Sequence, residues 1–288
     1  MSAGRFLCGH FYFMYNQFNV LIFIALAFSA EAQPKLKKLW ASDTSLAVPE
    51  SVLFDAKEKC LWVSCIDGQP GEADGKGQIA QLRTDGRIID KEWLSGLNAP
   101  KGMARFENRL YVADLNELVI IDIGNRKIEN KISVDSASFL NDVTSDENGT
   151  IYFSDSKTGK IHMYKDGSVS VFMEKLERPN GILAVGSDLL ILASGNLYQC
   201  GPEKILKKLA GGMDKSTDGI EQVKPDEYIV SCWSGVVYYI NSKGNVTQML
   251  DTRLSKSNTA DIGFDPSTKT VFVPTFFKKN VSAYKLSD

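Results

Sequence analysis

Asn141-Asp-Val-Thr-Ser-Asp146, followed closely by Thr150-Ile-Tyr-Phe-Ser-Asp155, is the clearest copy of a two-part phrase that this chain repeats six times. The other copies begin at Glu50, Lys101, Asn180, Asp218 and Ala260, and successive starts lie 51, 40, 39, 38 and 42 residues apart. In each copy the first part alternates apolar and polar positions, as a strand with one buried face does. The second part is richer in β-branched and aromatic residues: CLWVSC, RLYVAD, TIYFSD, LLILAS, EYIVSC and TVFVPT. Turn residues separate the parts, as in Glu147-Asn148-Gly149 and Lys224-Pro225-Asp226. A third strand follows in most copies (GQIAQL, LVIID, KIHMYK, NLYQC, VVYYIN, VSAYKL) and a weaker fourth in several, such as Ser168–Glu174 and Val246–Asp251. A repeat of this length made of short strands predicts an all-β, six-bladed β-propeller with four-stranded blades. A two-sheet sandwich has similar strand content, but the even spacing favours the propeller. The last copy supplies only three strands; Lys35–Ala41 (KLKKLWA), ahead of the first blade, is expected to add the fourth and close the ring. Pro274 within a strand pattern points to an irregular or edge position there.

The N-terminus is a different material. Val20–Ser29 is an unbroken apolar run of ten residues, and Ala30-Glu31-Ala32 follows it as a small-x-small site. The expected organisation is therefore a secretory signal over 1–32 and one propeller domain over 33–288. A membrane span needs about 20 apolar residues, so no stable span is expected after cleavage. Arg5 is the only positive charge before the run, and Met14 is an alternative start. The reading places the mature protein outside the cytoplasm, in a periplasm or the extracellular space.

At 43% apolar and 24% charged residues the full chain has the composition of an ordinary globular protein. Its net charge is −2 and the basic residues do not cluster, which argues against a nucleic-acid partner. Cys60, Cys65, Cys200 and Cys232 lack a disulfide-like spacing and read as buried free thiols. The only histidines are His10 and His162, so zinc chemistry built on His or Cys ligands is excluded.

In a propeller the first strand of each blade lines the central channel, so the leading residues Glu50, Lys101, Asn141, Asn180, Asp218 and Ala260 should form one ring at its mouth. Two carboxylates facing each other in a narrow channel repel, and burial raises the cost. With two amide oxygens in the same register, the set suits a hard divalent cation. Calcium is the first choice, with magnesium, manganese or zinc as alternatives. Lys101 opens a competing reading, a metal-free polar plug with Glu50 and Asp218. If metal is present, Lys101 is instead free to hold a substrate anion or steady an oxyanion, and Ala260 leaves room for a ligand. Asp114, Asp155, Trp233, Phe276 and Phe277, just beyond the second strands, are candidates to wall the mouth. Asp67, Glu72 and Asp74 in the loop 66–77 lack the spacing of an EF-hand and read as a solvated loop.

The phrases Pro49-Glu50, Phe139-Leu-Asn141-Asp142, Arg178-Pro-Asn180-Gly181-Ile182 and Thr217-Asp218-Gly219-Ile220 resemble the senescence-marker/gluconolactonase (regucalcin-like) family of six-bladed propellers, and more distantly the paraoxonases. The resemblance implies that Glu50, Asn141, Asn180 and Asp218 hold a catalytic divalent metal, and that Asp218 acts as base or nucleophile. It implies hydrolysis of a lactone, an ester or a phosphotriester. The chain departs from paraoxonases in carrying Lys101 where they have a histidine, and no arginine-rich sugar pocket is recognisable. The expected function is an exported metal-dependent lactone or ester hydrolase with Asp218 and Lys101 catalytic. The alternative is a non-catalytic propeller that binds a small anion, a sugar acid or a partner protein at the same mouth.

Overall fold

The computed structural model describes Met1 and residues 33–287, so the leader read at 1–32 lies outside the described residues. The rest forms six antiparallel four-stranded sheets arranged as blades. The inner strands are Pro49–Asp55, Pro100–Phe106, Leu140–Ser145, Pro179–Val185, Thr217–Lys224 and the short Gly263–Asp265. Each contacts the inner strands of the next and preceding blades, and the sixth returns to the first. Lys35–Ala41 pairs antiparallel with Val281–Ser287 as the outer strand of blade six, which closes the ring as expected. Among the described residues no helix is long and apolar enough to cross a membrane.

Strand periodicity explains how the blades cohere. Along Cys60–Cys65, Leu61, Val63 and Cys65 pack toward blade six with Phe272 and Val281. The alternate residues Cys60 and Trp62 pack toward blade two with Met103, Leu110 and Val112. The same division recurs around the ring, with one apolar cluster at each of the six blade-to-blade interfaces. Both faces of the second strands are therefore dry, which is why those runs are almost continuously apolar. The four cysteines are buried free thiols within this packing. Burial pushes the Cys65 thiol up to about 12, so it behaves as a small apolar side chain. Pro274 does not mark an edge strand: Thr270–Pro274 lies inside its sheet, and the proline is tolerated because it is the last residue.

The leading residues of the repeat sit at irregularities in pairing. Register slips between Pro49 and Ser51, Pro100 and Met103, Leu140 and Val143, Pro179 and Ile182, and Thr217 and Ile220. Such a bulge turns a side chain away from the pleat, here toward the axis. In three blades a serine of the second strand accepts the N–H that the bulge frees: Ser51 N–H to Ser64 Oγ (3.0 Å), Asp142 N–H to Ser154 Oγ (3.0 Å) and Gly219 N–H to Ser231 Oγ (2.9 Å).

One residue further, Ser51, Gly102, Asp142, Gly181, Gly219 and Asp261 form a second ring. Asp142 Oδ2 accepts the Ile182 N–H of the next blade (2.7 Å), and Ser51 Oγ donates to Asp261 Oδ2 (2.5 Å) across the closure. The aspartates fit because their neighbours lack side chains. A Cβ at Gly219 would lie 2.4 Å from Asp261 Oδ1 and 2.5 Å from the Ile262 nitrogen. Gly219→Ala must therefore shift backbone and should cost about 1–3 kcal/mol in stability, measurable by urea unfolding. An unchanged midpoint would refute this account of the glycine.

Candidate metal centre at the channel mouth

Glu50, Lys101, Asn141, Asn180 and Asp218 line a single cavity of about 350 Å³ at one end of the channel. Ala260 is fully buried beside Ile66, Ala99 and Phe276, so the sixth ring position is apolar. The bulges aim these residues, and loop contacts fix the segments that enter the inner strands. Asp114 accepts the N–H groups of Asn98 and Ala99, just before Lys101. Asp155 accepts those of Ser138 and Phe139, just before Asn141. Both aspartates are fully buried. They do not wall the mouth, because loop N–H groups take up their oxygens. Trp233 and Phe276 do line it, with Phe277 packed on both.

The ring is incompletely satisfied. Asn180 Nδ2 donates to Asp218 Oδ1 (2.9 Å), and Asn141 Nδ2 donates to Ser156 Oγ (3.1 Å). Ser156 Oγ in turn donates to the Pro179 carbonyl of the next blade (2.7 Å). Glu50 Oε2 and Asn180 Oδ1 are buried without a donor; among the described residues only five buried side-chain polar atoms are in that condition, and two of them belong to this ring. A buried acceptor without a partner costs about 1–3 kcal/mol. Lys101 does not fill the need. Its ammonium donates to the carbonyls of Ala99 (2.9 Å) and Pro70 (3.0 Å) and lies 4.6 Å from the centre of the Phe139 ring.

The electrostatics follow from this arrangement. Burial, then the Asp218 charge, raises the Glu50 carboxyl well above the usual range, and Lys101 offsets only part of it. Burial and Asp261 raise Asp218, against the Asn180 hydrogen bond and Lys101. Burial lowers Lys101, opposed by Glu50, Asp114 and Asp218. The donor set is two carboxylates and two amides, which fits an oxygen-seeking divalent ion. Among the described residues no group of three or more His, Cys, Asp or Glu is arranged to hold a metal, so a site here depends on the amides. The 66–77 loop contributes Pro70 to the cavity wall, while its Asp74 pairs with Lys76 (3.0 Å).

Phe139, Arg178 and Ser216 also line the cavity, each two residues before a ring residue, together with Lys157 and Lys215. The first three lie in the segments just before the inner strands, Arg178 with a positive φ of 50°, so strand alternation does not place them; their common spacing from the ring residue was the available signal. Lys157 and Lys215 come from loops, and no pattern in the repeat marks them.

Further along the channel, Asp142, Glu221 and Asp261 line a second cavity of about 300 Å³. Burial and the Asp261 charge push Glu221 up to about 8, and burial pushes Asp261 up to about 7. A carboxyl raised on folding keeps a proton that the unfolded chain has lost, so its neutral form is favoured and stability drops as pH climbs toward the folded value. His162, lowered by burial, works the other way. Glu221→Gln removes one carboxyl term alone, so its stability advantage over the native protein should grow between about pH 5 and about pH 8, measured by thermal unfolding. A pH-independent difference would rule out the raised carboxyl.

No protein-family model matches the chain, and no curated protein matches its sequence. Solved structures match its fold, a six-bladed propeller of four-stranded blades. A streptogramin B lyase is 12% identical, covering 88% of this chain and 98% of that one, with TM-score 0.64. A catalytically inactive virginiamycin B lyase from Staphylococcus aureus, solved with quinupristin, is 14% identical over 88% of this chain and all of that one, with TM-score 0.63. A protein provisionally named a gluconolactonase is 14% identical over 89% and 93% of the two chains, with TM-score 0.66. The gluconolactonase type that the motifs resemble is thus among the propellers similar to this chain; at these identities the likeness is one of fold.

Proposed function

We propose that this protein is a divalent-metal-dependent hydrolase of lactones or esters, with its site at the channel mouth. The observation that carries the reading is the pair of buried, unpartnered acceptors, Glu50 Oε2 and Asn180 Oδ1, in one cavity with the raised carboxyl of Asp218. Glu50, Asn141, Asn180 and Asp218 are the residues that would hold the ion, with calcium the first choice for an all-oxygen set. A divalent cation there would supply Lewis acidity toward a substrate carbonyl oxygen.

The protein's own groups fit the remaining requirements. Asp218, its carboxyl raised by burial and the Asp261 charge, is a stronger base than an exposed aspartate and is suited to take a proton from an attacking water. Asn180 Nδ2 fixes its carboxylate by donating to Oδ1. Lys101 keeps one N–H beyond the two given to carbonyls and stands ready to steady negative charge developing in the cavity. The virginiamycin lyase neighbour is described as inactivated by replacing a histidine. Here His162 lies stacked on Phe153 inside blade three and does not line the mouth, which favours a carboxylate over an imidazole as the base. The proposal places the enzyme outside the cytoplasm, on the strength of the 1–32 leader alone.

Calcium should raise the melting temperature and a chelator should reverse the effect; at about 100 times Kd the gain is about 2.7 kcal/mol. Glu50→Gln and Asn180→Ala should each weaken that response. Asp218→Asn should lower turnover of a responsive lactone or ester by about 100-fold or more, read as kcat on a substrate panel. Full activity in Asp218→Asn would remove it as the base. Calcium stabilisation without turnover of any lactone or ester would leave the non-catalytic binding reading.

A further inference from the structure

The wall of the mouth is uneven in chemistry: exposed cations gather on one arc, where Phe139 lies beneath Lys101 (4.6 Å) and Lys157 (5.1 Å), and the remaining aromatics gather on another. Over blades three to five it presents Lys157, Arg178 and Lys215. All three are exposed and none forms an ion pair among the described residues. From blade five through blade six to blade one it presents Trp233, Phe276 and Ile66. Trp233 packs edge-on against Phe276 at 5.6 Å and against Phe277 at 6.3 Å. Trp233 remains 40% exposed and Phe277 62%, so these two rings open to solvent above Phe276, which is buried against Ile66 and Ala260.

The charge count is lopsided. Four cations line the cavity, Lys101, Lys157, Arg178 and Lys215, against the two carboxylates Glu50 and Asp218. The excess is positive with the ring empty and grows when a divalent ion neutralises the carboxylates. A protein whose net charge is −2 thus concentrates positive potential at one cavity, and such focusing selects anions. The aromatic arc supplies the apolar face and the edge contacts that hold a ring or chain. A neutral ligand would leave the excess positive charge uncompensated, and a small inorganic anion would leave the aromatic arc bare.

We propose that the ligand of this mouth is an amphiphilic anion. Its fixed negative charge sits against Lys157, Arg178 and Lys215, and its aryl or alkyl portion lies against Trp233 and Phe276. Identifying this ligand as the hydrolysed compound, an acidic and partly apolar lactone or ester, rests on the function proposed above; its binding does not.

The test uses the full mature chain, with calcium and again with chelator, and three probes: naphthalene-2-sulfonate, 2-naphthalenemethanol and methanesulfonate. A sulfonate coordinates metal weakly, so it reports on the cationic arc. Calorimetry should show naphthalene-2-sulfonate binding about tenfold or more tighter than either partial probe, in both metal states. Arg178→Ala with Lys215→Ala should weaken it about fivefold or more and leave the alcohol unchanged. Trp233→Ala should weaken both aromatic probes and spare methanesulfonate. These residues are exposed, and unchanged melting temperatures will show that the variants fold. Equal affinity for the sulfonate and the alcohol, or indifference to loss of the cations, would overturn the proposal. Calcium stabilisation with no sulfonate preference would overturn it while leaving the metal site standing; sulfonate binding without calcium stabilisation would uphold it and remove the metal.

Discussion

Two carboxylates held in one cavity, with no lysine or arginine in ion-pair contact among the described residues, are the constraint on which the rest of this molecule depends. Glu50 and Asp218 come from blades one and five, so the closed ring fixes their separation. Lys101 is near enough to moderate the repulsion and is bound elsewhere, to the carbonyls of Ala99 and Pro70. The cost of burial therefore remains in the folded state, as unpartnered acceptors and raised carboxyls. A site that stores unfavourable electrostatics in this way is prepared for a cation or a proton.

The scaffold tolerates this because stability lies elsewhere. The apolar clusters between blades are built mostly from second- and third-strand residues, joined by inner-strand residues such as Met103 and Ile220 and fourth-strand residues such as Trp93 and Ala210. The inner strands sacrifice regular pairing where the ring residues sit, and serines such as Ser154 and Ser231 recover the freed N–H groups. One layer deeper, Asp142 and Asp261 tie neighbouring blades together through hydrogen bonds that cross from one inner strand to the next. Function at the mouth and cohesion around the ring thus use consecutive residues of the same phrase, with opposite requirements on them. The first must be left partly unsatisfied, and the second must be satisfied or absent, as at Gly102 and Gly219.

Much of this was legible in the chain. Blade number, strand order and closure by Lys35–Ala41 follow from a repeat in which each second strand must be dry on both faces. The ring residues were legible because equivalent positions of a closed repeat meet at the axis. Asp114 and Asp155 were misleading. They fall one place earlier in their blades than the mouth residues Trp233 and Phe276, level with Cys232 and Thr275, and an aspartate there finds loop N–H groups within reach and turns inward to them. Lys157 and Lys215 were not legible, since they lie in loops that vary from blade to blade.

The sequence by itself determined the propeller and the identity of the five ring side chains that line its mouth, because both depend on periodicity, which is a local property of the chain. Only the tertiary structure decided how those side chains are partnered: that Lys101 is held by backbone carbonyls, that Glu50 and Asn180 keep bare oxygens, and that the exposed cations and the Trp233–Phe276 pair fall on different arcs of one cavity. Partnership is set by which distant loops arrive beside the ring, and no repeat in the sequence encodes that.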